Sequence, residues 1–65
     1  MNLLGSLKPY RGFTGTIEYD ADNKMYHGKI ENVYDNICYH ARSIIELRDQ
    51  FKDAVDWYLN SGLLN

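Results

Sequence analysis

Apolar and polar positions alternate along residues 10–19. Phe13, Gly15, Ile17 and Tyr19 fall on one side of an extended chain, and Thr14, Thr16 and Glu18 fall on the other. A period of two is that of a half-buried β-strand. The polar run Asp20, Ala21, Asp22, Asn23, Lys24 then suits a hairpin loop. Residues 25–30 read as a second strand, with Tyr26, Gly28 and Ile30 on one face and Met25, His27 and Lys29 on the other. Gly28 in mid-strand implies a bulge or the close approach of another group. Residues 31–36 connect onward, with Asp35 and Asn36 as turn formers. Residues 37–40 make a short third strand.

The period then changes. Ile44, Leu47, Phe51, Ala54, Val55 and Tyr58 recur at steps of three and four, which is one stripe of an amphipathic helix. Ser43 and Glu46 have capping-box spacing, in which each side chain satisfies an amide of the other residue. The stripe fades at Leu59, and Gly62 is placed to terminate the helix. The helix is therefore expected over residues 43–60. Residues 1–9 read as an N-terminal arm with room for a short edge strand: Leu3, Leu4 and Leu7 are able to pack, but Gly5 and Pro9 interrupt. The expected fold is α+β, a three-stranded antiparallel sheet (residues 10–40) with one helix on one face, in the order βββα. Residues 1–65 form a single domain.

Composition narrows the function. A chain of 65 residues with a net charge of −2 and no basic cluster is a poor direct ligand for DNA or RNA, though a basic protein suits it. Six tyrosines favour strands and half-buried surfaces. Cys38 is the lone cysteine, so no internal disulfide forms. It reads as a small buried hydrophobe in a reducing cytoplasm. No apolar run approaches the ~20 residues of a membrane-spanning helix, and residues 1–8 lack the pattern of a signal peptide.

The chemistry-bearing residues do not converge in the sequence. Glu18 and Glu46 are the one tempting carboxylate pair, but Glu46 is engaged in the helix cap and a two-metal nuclease needs several convergent carboxylates. His27 and His40 lie on different strands without a ligand set around them. The expectation is no enzyme, no metal and no cofactor. The helix is more informative. Glu46, Asp49, Asp53 and Asp56 recur at steps of three and four along one side, and Trp57 falls outside the apolar stripe. An acidic strip steers encounter with a basic protein, and an exposed tryptophan is typical of interface hot spots. Asp49, Asp53, Asp56 and Trp57 are the candidate partner-binding residues.

The run Tyr10-Arg11-Gly12-Phe13-Thr14-Gly15-Thr16-Ile17-Glu18-Tyr19, then Tyr26-His27-Gly28-Lys29-Ile30, then Ser43, Glu46-Leu47, Phe51, Ala54-Val55-Asp56 and Tyr58-Leu59, resembles the N-terminal domain of the HicB antitoxins. The resemblance covers residues 10–59. It implies a partial ribonuclease-H-like fold and a cytoplasmic antitoxin that occludes a small basic mRNA-cleaving toxin of HicA type. Ala41, Ile45 and Trp57 depart from it, standing where the family often has glycine, an acidic residue and Asp or Glu. The DNA-reading domain that many members carry has no counterpart after the helix, so direct DNA binding is not expected.

In the implied fold the first strand lies between the second strand and one that follows the helix. With little chain after the helix, one edge of the first strand would stay bare. Tyr10, Phe13, Thr14, Thr16 and Glu18 are then the candidate self-association edge, and a homodimer or larger oligomer is expected. The Leu3-Leu4 arm is the other candidate to cover it. The competing function is an orphan self-assembling domain without a toxin.

Overall fold

The computed structural model describes residues 2–63. Four strands, β1 (Asn2–Ser6), β2 (Thr16–Asp20), β3 (Met25–Lys29) and β4 (Cys38–Ala41), precede one helix, α1 (Ile44–Leu63). They form an antiparallel sheet in the order β1-β2-β3-β4. The expected class is present, but the sheet has a fourth strand, made by the arm. Asn2 pairs with Tyr19, Leu3 with Glu18, Gly5 with Ile17 and Ser6 with Thr16, with a bulge between Leu3 and Gly5.

Residues 7–15 return the chain from β1 to β2. The Leu7 amide donates to the Gly15 carbonyl, and Tyr10 and Phe13 exchange backbone hydrogen bonds. Arg11 and Gly12, at φ 52° and 86°, make the tight turn between them. This turn shortens the first expected strand, whose regular part begins at Thr16 rather than at residue 10. It also closes the proposed self-association edge. Tyr10 and Phe13 pair with each other, the Thr14 carbonyl accepts the Glu31 amide, and Thr16 and Glu18 pair with β1. The arm, one of the two covers considered, holds that edge from within the chain.

The register sorts the sheet into two faces. Tyr19 pairs with Tyr26, Tyr26 with Ala41, and Gly28 with Tyr39. These residues share the face on which α1 packs, chiefly against β4 and β3. Leu47, Phe51 and Val55 are completely buried there, against Leu7, Ile30, Ile37, Tyr39 and Ala41. Phe13, Ile17, Tyr26, Ala54 and Tyr58 pack partly around them. Ile44 belongs to the stripe by spacing but is 43% exposed, because it lies in the first turn, at the margin of the sheet.

Close approach explains two glycines. The Tyr39 ring lies over Gly28 and Gly15. A Cβ on Gly28 would stand 2.6 Å from Tyr39 Cε2 and nearer still to the Thr16 carbonyl oxygen. One on Gly15 would stand 2.8 Å from Phe51 Cδ1. The slot lets the Tyr39 hydroxyl donate to the Thr16 carbonyl at 2.9 Å.

At the start of α1, Ser43 Oγ accepts the Glu46 amide at 3.2 Å. The reciprocal bond of a capping box is not made among the described residues, and Glu46 remains an exposed acid. At the other end the helix runs on through Gly62 to Leu63. A single glycine costs a helix only about 1 kcal/mol, too little to stop it unaided.

Candidate binding surface

Helical spacing puts Asp49, Asp53 and Trp57 four residues apart, one above another on α1. All three are exposed, and Trp57 is 61% accessible. It stands over the margin of β4, where Asp35, Asn36, Ile37, Cys38, Ala54 and Trp57 enclose a groove of about 430 Å³. Tyr34, fully exposed, sits next to Asp35 on the loop that lines it. Alternating hydrophobicity could not reveal this groove. Its two walls, residues 35–38 and 54–57, are distant in sequence and meet only where α1 packs against β4.

Asp56 departs from the expected strip. Its carboxylate accepts the Tyr10 hydroxyl at 3.0 Å and Arg11 at 2.9 Å. That hydrogen bond raises the Tyr10 hydroxyl above its ordinary pKa, with burial and the Asp56 charge acting in the same direction. Lys52 Nζ lies 5.8 Å from the centre of the Tyr10 ring. Lys8, Pro9 and Tyr10 border this flank of the helix together with Arg48 and Lys52. The helix therefore divides its charge. Arg48, Lys52 and an engaged Asp56 face the N-terminal segment, while Asp49 and Asp53 continue the row that ends at Trp57.

The other face of the sheet carries Glu18, His27 and His40 in one cross-strand row. The His27 and His40 rings are 6.0 Å apart, and His27 Nε2 lies 3.9 Å from Asp20 Oδ2. Asp20 itself is held below its ordinary pKa, first by the Asn23 side-chain amide and then by backbone amides of Asn23 and Asp22. Among the described residues no group of three or more His, Cys, Asp or Glu is arranged to hold a metal ion. Glu18 and Glu46 stand on opposite sides of the sheet. Cys38 is exposed rather than buried, since pairing with Lys29 puts it on the face away from α1. Among the described residues no helix is long and apolar enough to cross a membrane.

No family model, curated protein or solved structure matches the chain.

Proposed function

We propose that this chain is a non-catalytic, cytoplasmic binding module of HicB type, with a partial ribonuclease-H-like fold, that neutralises a small basic RNA-cleaving toxin by covering it. The observation that carries the reading is Trp57, a large aromatic left outside the core at the end of an acidic row and at the mouth of a groove. Tryptophan in that setting is a hot-spot residue, and the acids select a basic partner. The resemblance over residues 10–59 supplies the kind of partner. The competing reading, a self-assembling domain without a toxin, drew one part of its support from an open β2 edge, which β1 occupies, and the other from the small core of a 65-residue chain.

The test is co-expression with a HicA-type toxin encoded beside this chain. Growth is restored by the parent chain and lost with Trp57→Ala or Asp53→Lys, while both variants remain folded by circular dichroism. Full rescue by both would put the contact elsewhere. No rescue by the parent chain would remove the antitoxin reading.

A further inference from the structure

The outer edge of β4 ends the sheet and pairs with nothing among the described residues. The Ile30 amide donates to the Ile37 carbonyl. In the alternating antiparallel ladder, Ile37, Tyr39 and Ala41 thus turn their backbone groups toward β3, and Cys38 and His40 turn theirs outward. Bare edges recruit strands unless blunted by charge, proline or a bulge. The outer edge of β1 belongs to a bulged strand. β4, with the sequence Cys-Tyr-His-Ala, is short, at four residues, but carries no lysine, proline or bulge.

The groove beside that edge settles what it accepts. Its apolar walls are Ile37, Ala54 and Trp57, and Asp35 lies in its lining. Asp49 and Asp53 extend the row from Trp57, while Arg48 and Lys52 are on the opposite flank. A second copy would bring its own Asp35, Asp49 and Asp53 and supply only Arg42 beside its β4, so a basic strand is the better complement. We infer that the β4 edge and the Trp57 groove capture an extended segment of a basic partner protein by strand addition, with alternate lysine or arginine side chains entering the groove, their stems on Trp57 and their charged ends at Asp35 and Asp53. Main-chain hydrogen bonds hold such a segment, and the pockets select it. The inference rests on the chain being a binding module for a basic protein and names the mode of contact.

The probe is the peptide acetyl-Lys-Val-Lys-Val-Lys-Val-Lys-amide added to the 65-residue chain. Binding shifts Trp57 fluorescence to the blue and slows exchange of the Cys38 and His40 amides by about tenfold or more. A glutamate-valine peptide of the same length does neither. His40→Pro removes one outward amide at an edge position that tolerates proline, and weakens binding by about tenfold, whereas His40→Ala leaves it unchanged. If His40→Pro does not fold, Trp57→Ala and Asp53→Lys must each weaken peptide binding. Protection at β1 instead, equal binding of both peptides, or protection of Cys38 and His40 by self-association without peptide overturns the inference. Toxin neutralisation without protection of these amides defeats strand addition and leaves the antitoxin reading standing. Protection by the basic peptide in a chain that neutralises no toxin does the reverse.

Discussion

Tyr39 is where the core is most sensitive to a single atom. It is 4% exposed, its ring lies 5.6 Å from that of Phe51, and two glycines make room for it. Gly28→Ala forces a methyl group against the Thr16 carbonyl and the Tyr39 ring. Overpacking of this kind costs about 1–3 kcal/mol, read as a lower denaturant midpoint. Burial, with the nearby Glu31 charge second, pushes the Tyr39 hydroxyl well above its ordinary pKa of 10.0. A tyrosine whose folded pKa is raised binds its proton more tightly in the native state. Its contribution is complete below the unfolded value and is lost as pH rises past it. Stability should therefore fall on titration above about pH 10, with a shallower fall in Tyr39→Phe. Gly28 was legible in the sequence as a point of close approach. Tyr39 as the group approaching it was not, since a pairing partner on another strand leaves no trace in local periodicity.

At the scale of elements, the helix, β2 and β3 were readable because each has one dominant period, although β2 begins at Thr16 rather than at residue 10. Phe51 sits at the centre of the stripe and is fully buried. Phe51→Ala should cost about 3–5 kcal/mol, and stability equal to the parent would contradict the packing. The first strand was harder to read. With Gly5 inside it, β1 shows no alternation, and its pairing depends on a bulge and on the turn through Arg11 and Gly12. In the fold implied by the resemblance, that flank of β2 belongs to a strand after the helix. Here the N-terminal segment fills it. Deleting residues 1–6 should uncover the β2 edge and convert the chain to dimers or larger species in sedimentation velocity. A truncated chain that sediments like the parent would mean that β1 shields nothing.

Across the whole molecule, the small net charge of −2 conceals an uneven distribution. Cations gather where the N-terminal segment meets α1, with Arg11 and Lys52 set against Asp56 and Tyr10. The Arg11–Asp56 pair is half exposed on both sides, and such pairs contribute only about 0–1 kcal/mol. Its larger effect is to neutralise one member of the acidic strip, so that Asp49 and Asp53 dominate the field beside Trp57. The spacing of acids along the helix was visible in the sequence, but the capture of Asp56 by residues 45 and 46 positions earlier in the chain was not. An asymmetric field should steer a basic partner toward the Trp57 side. Stopped-flow mixing with a HicA-type toxin, read by Trp57 fluorescence, should show an association rate that falls steeply with salt, because exposed charges are screened beyond a Debye length of about 10 Å at 0.1 M. Replacing both Asp49 and Asp53 with lysine should slow association by about tenfold or more at low salt and flatten the salt dependence. Replacing Arg48 and Lys52 with glutamate adds acid on the opposite flank and should leave the rate nearly unchanged or slightly raised. An equal loss from both pairs of substitutions would mean that net charge alone, rather than this face, guides the encounter.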